Sequence, residues 1–347
     1  MIFRFMAILM ALSFASVAHA AETDAPVTAA EWASYKGKFL DPTGRIVDNG
    51  NGGISHSEGQ GYGLLLAYLA NSPSDFEQIW SFTRTELLLR NDGLAVWKWD
   101  PSAKPHVKDI NNATDGDLLI AYALALGGAQ WRRMDYVEAA ARIARAVLSE
   151  TVISTGGRTV LLPGVAGFRA GDREDGPVVN PSYWLFEAMP VMKLLAPSDQ
   201  WDKLRDDGVA ILRSLDIGPA KLPPEWASLR QKPKASAGFE PQFSYNAIRV
   251  PLYLVRGDIR DKDLLRRIKN GMVDRNGIVS IIDLPTGKPV EQLPDRGYQI
   301  VHDLVECVLD GKPLPETVKQ FQPEFYYPAT LQLLSLAYAR ENRPSCI

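Results

Sequence analysis

Helical segments that are apolar nearly all round alternate along this chain with segments that carry charge on one face, and this alternation limits the fold more than any other feature. Apolar spacing with start and stop signals predicts about a dozen helices. They lie near 30–38, 58–70, 74–90, 114–131, 135–151, 181–195, 199–215, 245–256, 261–273, 298–309, 315–321 and 328–342. The segments at 58–70, 114–131 and 181–195 are rich in Gly, Ala, Leu and Tyr, whereas those at 74–90, 135–151 and 199–215 are charged along one side, as at Asp202, Lys203, Arg205, Asp206 and Asp207. A helix apolar all round is buried, and an amphipathic one covers it. Strict alternation, about six of each kind, therefore predicts an all-α toroid with an inner ring wrapped by an outer ring. An irregular helical bundle is the alternative that pattern alone leaves open. In the toroid the inner helices run the same way and open their N-termini at one mouth. Only Arg158 to Leu162, and Gly277 to Leu284 with Lys288 to Val290 across a Thr286-Gly287 turn, look extended. No Gly/Ser-rich or Pro-rich linker divides the chain, so residues 21–347 are expected to form a single domain.

The first twenty residues point to export. Arg4, an apolar run from Phe5 to Val17, and Ala18-His19-Ala20 ahead of Ala21-Glu22 match a secretory signal peptide cut after Ala20. The apolar run, about 13 residues, is short of the roughly 20 needed to span a bilayer. A soluble mature protein, periplasmic or secreted, is the expectation. Net charge is −3, from 38 Lys plus Arg against 41 Asp plus Glu, and it is dispersed, which argues against a nucleic-acid partner. The histidines (His19, His56, His106, His302) are scattered and the two cysteines, Cys307 and Cys346, have no metal-ligand spacing, so neither a metal nor a cofactor is expected. Those cysteines form one bridge or stay as two free thiols; the sequence does not decide between them.

A polar cluster precedes each of four predicted inner helices. The clusters are Ser55-His56-Ser57-Glu58-Gly59-Gln60, Asn111-Asn112-Ala113-Thr114-Asp115-Gly116-Asp117, Asn180-Pro181-Ser182-Tyr183 and Ser244-Tyr245-Asn246-Ala247-Ile248-Arg249. In the toroid they share one mouth, and carboxylates, amides, an arginine and aromatics converging there are what a sugar-cleaving cleft requires. Each also has a bland reading. Ser55-x-x-Glu58 has capping-box spacing, Asn112-x-x-Asp115 is similar, and Asn180-Pro181 is an ordinary cap with proline after it.

The motifs Ser57-Glu58-Gly59-Gln60-x-Tyr62-Gly63 and Ala113-Thr114-Asp115-Gly116-Asp117 together resemble glycoside hydrolase family eight. Leu161-Leu162-Pro163-Gly164, Asn180-Pro181-Ser182-Tyr183, Ala247-Ile248-Arg249-Val250, Thr286-Gly287-Lys288 and Tyr326-Tyr327 follow in the family's order. More narrowly, the chain resembles the periplasmic endoglucanase branch that accompanies bacterial cellulose synthase. It implies an (α/α)6 barrel and endo-acting hydrolysis of a β-1,4-glucan (cellulose) chain with inversion, with the cellulose synthase machinery as a partner. It assigns Glu58 as the general acid and Asp115 as the residue holding the sugar at the cleavage point. A helix N-terminus favours ionised Glu58, so burial and the charge of Asp115 are expected to raise its pKa against that effect.

One position departs from the family. The usual catalytic base is an aspartate where this chain has Asn246, and an amide cannot accept the proton of water at neutral pH. The substitutes are Asp115, Glu240, Asp109, Glu291 or Asp295, among which the sequence does not choose. Trp97, Trp99, Tyr183, Tyr245 and Tyr326 are the expected sugar-stacking residues, each with the rival reading of a core aromatic. Arg249 resembles the family's cleft arginine, touching substrate or orienting the acids, with a plain ion pair as its rival. Activity on chitosan, xylan or mixed-linkage glucan, or glucan binding without cleavage, are the alternative functions.

Overall fold

The computed structural model describes residues 25–347. The signal-peptide segment and its cut after Ala20 lie outside them. Helices α1 (Ala29–Phe39), α2 (Ser57–Leu69), α3 (Pro73–Phe82), α4 (Thr114–Trp131), α5 (Met134–Glu150), α6 (Met189–Leu195) and α7 (Gln200–Ser214) make up the first part. Helices α8 (Tyr245–Ile248), α9 (Val250–Arg256), α10 (Lys262–Gly271), α11 (Arg296–Asp310), α12 (Glu316–Lys319) and α13 (Tyr326–Asn342) follow.

The predicted alternation is the observed one. α2, α4, the 181–195 stretch, α8–α9, α11 and α13 touch in that order, and α13 returns to α2, closing an inner ring. α3, α5, α7, α10, α12 and α1 each lie against the inner element beside them in sequence, α1 against α13. This is an (α/α)6 barrel. Helix α2 shows why the inner ring is so apolar: Tyr62, Leu64, Leu65, Leu66 and Ala67 are all buried, since a central helix is covered on every side. No helix among the described residues is long and apolar enough to cross a membrane.

Three predicted helices are broken, each for a local reason. The 74–90 segment ends as α3 at Phe82 and continues as a π-helical turn, Thr83–Leu87. The buried amide of Gln60 donates there to the Ile79 carbonyl (3.3 Å) and to Thr83 Oγ1 (3.0 Å), intruding on the helix's own bonding ladder. The 181–195 segment is a short turn, Pro181–Tyr183, followed by α6, which restarts with Pro190 in its first turn. The 245–256 segment divides after Arg249, where Pro251 has no N–H to continue the ladder.

Short strands brace the loops. β1 (Ser55–His56) pairs with β2 (Lys98–Trp99), carrying the tryptophan loop to the start of α2. β3 (Val152–Thr155) pairs with β4 (Arg158–Leu161). β5 (Val178–Val179), β6 (Ala227–Ser228) and β7 (Lys234–Ala235) form one small sheet, which sets residues 180–183 beside residues 225–226. β8 (Gln242–Phe243), β9 (Ser280–Asp283) and β10 (Lys288–Gln292) form another, leading into α8. Cys307 of α11 and Cys346 are joined as a disulfide with Cα atoms 5.9 Å apart, deciding between the two thiol states the sequence left open.

Candidate active site

The N-termini of α2 and α4 meet because glycine lets them. A Cβ on Gly116 would stand 2.4 Å from Ser57 Oγ and 2.8 Å from the Glu58 nitrogen, so only glycine permits this approach. Glu58 and Asp115 are thereby brought to one point. Glu58 is not spent on capping, while one Asp115 oxygen accepts from the neighbouring Gly116 N–H at 2.9 Å and the other stays with Arg249. The cap of α2 is His56, whose Nδ1 accepts from Gly59 N–H at 2.9 Å, while Ser55 is bonded to the Ile46 carbonyl instead. The cap position of α4 is Ala113, and the Asn112 side chain instead accepts from Val165 N–H (2.8 Å) and donates to Asp117 (2.8 Å). The Asn180 cap reading does hold, since its side chain accepts from Ser182 N–H at 3.0 Å.

Arg249 joins the two carboxylates. One guanidinium nitrogen donates to Glu58 and another to Asp115 at 2.6 Å, and Arg249 is fully buried. Of its two partners, Asp115 is closed off, its side chain 2% exposed, whereas Glu58 is 18% exposed and reaches the cleft. Burial and the adjacent Glu58 charge push Asp115 up to about 7, against the pull of Arg249. Glu58 stands below the usual carboxylate range: burial opposes this, but the Arg249 and His56 charges outweigh it. The expectation that Glu58 itself is raised is therefore corrected. The two carboxyls titrate as a pair, and the elevated proton affinity lies on the Asp115 side. Behind them, His56 Nε2 pairs with Asp48 at 3.2 Å, and that carboxylate with Glu58 holds the imidazole above its ordinary pKa in spite of burial.

The aromatic assignments divide. Tyr183 lies in the site: the Arg249 guanidinium is 5.8 Å from its ring centre, and burial with the Asp115 and Glu58 charges pushes its phenol up. Tyr245 is 41% exposed at the rim, its hydroxyl donating to Glu291 at 3.3 Å. Trp97 is half-buried beside the mouth and donates to Asp109 at 2.8 Å. Trp99 is taken up by protein partners: His106 stacks on it at 4.2 Å and Arg45 lies over its ring at 5.0 Å. Tyr326 is displaced from the role expected of it. Its ring is 1% exposed and packs edge-on to His56 and Phe39, so it forms the wall behind the cleft. Its neighbour Tyr327 is partly exposed, and both the Arg249 and Glu58 charges act on its phenol.

The sequence model of the glycosyl hydrolases family 8 matches residues 3–340. This chain belongs to that family. It is 36% identical over 321 residues to a probable endoglucanase of Novacetimonas hansenii, spanning 90% of this chain and 92% of that one. A family 8 endoglucanase from Klebsiella pneumoniae superposes with a TM-score of 0.81 at 33% identity, covering 90% of this chain and all of the other. An endo-β-1,4-glucanase from Acetobacter xylinum gives 0.81 at 34% identity, covering 91% and 98%. The chain is a glycoside hydrolase.

Three residues that the structure brings beside these side chains carry no functional reading from the sequence. His56 counts among four scattered histidines in the sequence, although it stands two residues before Glu58 in the same cluster. Tyr327 shares its motif with Tyr326, and its hydroxyl donates to the Tyr245 carbonyl at 2.8 Å. Glu225 carried no signal in its surroundings, Pro223-Pro224-Glu225-Trp226; its carboxylate accepts from the Asn246 backbone N–H at 2.7 Å. Asn246 itself occupies the first turn of α8, one helical turn before Arg249 and on the same face.

Proposed function

We propose that this hydrolase cleaves internal β-1,4 linkages of a glucan chain with inversion, and that Glu58 gives the proton to the leaving oxygen. The observation that carries this reading is one buried arginine holding two carboxyls, of which only Glu58 opens to the cleft. An inverting hydrolase needs an acid that keeps a proton near neutral pH and a carboxylate base on the opposite face of the sugar. The Glu58–Asp115 pair supplies the first: burial keeps a proton on it to about pH 7, and Glu58 is the member that can pass it on. Asp115, locked by Arg249 behind Glu58, fixes the geometry of the acid from beneath the cleavage point. Tyr183, Tyr245, Tyr327 and Trp97 offer flat faces to neighbouring rings. The relatives described as endoglucanases support glucan over other polymers.

The test is reducing-end release from carboxymethylcellulose by the native chain and by Glu58→Gln. The native chain should cut it, with a rapid fall in viscosity typical of internal cleavage. Glu58→Gln should lose at least about 100-fold in kcat, the usual span for a general acid. A Glu58→Gln variant within a few-fold of the native rate would refute the assignment.

The narrower reading is export behind residues 1–20, one catalytic domain over 21–347, and trimming of glucan made by a cellulose synthase in the periplasm. It is supported by the leader pattern and by a core cluster running unbroken from Val27 to Cys346. An exported protein whose mass begins elsewhere than Ala21 would count against the leader.

A further inference from the structure

We infer that Glu225 accepts the proton of the attacking water, in the role that Asn246 cannot fill. This rests on the inverting-hydrolase reading above and supplies the half of the reaction that reading leaves unassigned.

Glu225 arrives from the long connection between α7 and α8. Its N–H donates to the Gln242 carbonyl at 3.0 Å, and the small sheet of β5, β6 and β7 begins two residues later. Both attachments fix the backbone of Glu225, so its carboxylate is aimed by structure rather than by a mobile loop. That carboxylate accepts from the Asn246 backbone N–H at 2.7 Å. Glu225 therefore lies against the residue where the family keeps its base. The Arg249 charge acts on it, and the Arg249 guanidinium, 5.8 Å from the Tyr183 ring centre, stands between Glu225 and the two carboxyls it holds.

The amide at position 246 gains a purpose from this contact. An aspartate there would set a second carboxylate against Glu225, and one of the two would take up a proton. Asn246 adds no second charge there, and its backbone N–H donation favours the ionised Glu225 that a base needs. Burial pushes Glu225 up while the Asn246 N–H and Arg249 pull it down, leaving it above its ordinary value.

The other carboxylates are worse placed. Asp115 is closed off and bound to Arg249. Asp109 is exposed, with one oxygen taken by Trp97 and the other by Asn111 N–H. Asp295 caps α11 through Gly297 N–H. Glu240 is exposed, and Glu291, exposed on β10, meets only the Tyr245 hydroxyl.

In the step itself, a water O–H proton passes to Glu225 as the water oxygen bonds to the anomeric carbon. The bond from that carbon to the leaving oxygen breaks, and the leaving oxygen takes the proton from Glu58. Glu225 then releases its proton to solvent, and the Glu58–Asp115 pair regains one.

The test is Glu225→Gln, which keeps an acceptor for the Asn246 N–H. On cellopentaose, kcat should fall at least about 100-fold with KM within roughly 3-fold of native, the range for loss of a general base. Sodium azide should restore turnover in this variant and give the α-glycosyl azide, a product that a merely structural defect cannot yield. Adding Asn246→Asp to Glu225→Gln should recover activity, which guards against a folding defect. A Glu225→Gln enzyme within 3-fold of native, or one that yields no glycosyl azide, overturns the inference. If Glu58→Gln is dead while Glu225→Gln is active, the base assignment fails and the hydrolase reading stands. If the native chain cuts no β-1,4-glucan, both fall.

Discussion

Replacing Arg249 with methionine tests the electrostatic core of the site. Methionine roughly matches the length of the side chain but leaves Glu58 and Asp115 with no counter-charge, in a place where Arg249 is fully buried. Removing one partner of a buried ion pair costs about 3–5 kcal/mol. Unfolding entropy near 2.1 cal/mol/K per residue over roughly 320 residues gives about 0.7 kcal/mol/K, so Tm should drop by about 4–7 °C. That cost depends on pH. Without Arg249 the folded pKa of Asp115 rises further above the unfolded value of about 4, and Glu58 loses the main charge that holds it below. A carboxyl so raised destabilises the fold as it ionises, so the penalty is small near pH 5, grows as pH rises towards the elevated value and then levels off. Thermal unfolding by calorimetry at pH 5 and pH 8 should therefore show the larger drop at pH 8. Arg249→Lys should recover part of the stability and little activity, because an ammonium cannot hold two carboxylates in a planar fork. An equal drop in Arg249→Met at both pH values would refute the reasoning, as would a Tm at pH 8 within 1 °C of native.

The alkaline limb of kcat/KM should fall near pH 7, where the proton shared by Glu58 and Asp115 is lost; a profile flat to pH 9 would exclude that pair as the proton source. Gly116→Ala should cost about 1–3 kcal/mol through overpacking. It should also cost on the order of 100-fold in kcat, because pushing α2 off α4 by an ångström misplaces Glu58; an unchanged rate would show that the helix approach does not set the geometry. Tyr326→Phe should leave Tm and activity nearly unchanged, since the Tyr326 hydroxyl is buried without a partner; a tenfold loss of activity would return Tyr326 to the cleft. Cys346→Ser should lower stability by about 4 kcal/mol, from reopening a loop of 39 residues. The same variant should keep its rate at 25 °C, because Cys307 sits at the end of α11 away from the mouth.

Composition along the chain was enough to determine the layering of this protein. A helix such as α4, apolar on every side, has nowhere to go but the centre, and the charged face of α7 can only lie outside. The same logic placed the starts of α2, α4 and α8 at one mouth and so brought Glu58, Asp115 and Arg249 together in advance. Breaks in the helices were harder to read. The π-helical turn after α3 depends on Gln60, which reaches it from another helix, and periodicity within a segment is blind to that. Which carboxyl holds the proton, whether Tyr326 or Tyr327 faces the cleft, and that Glu225 stands behind Asn246 were decided only by tertiary structure. Proton affinity depends on burial and on charges brought near by folding, the facing of a side chain is set by rotations of a few tens of degrees within a helix, and Glu225 lies 21 positions from Asn246. Sequence spacing specifies which elements form and which of their faces is buried. Distances of a few ångströms between residues far apart in the chain, on which the chemistry depends, exist only once those elements have packed.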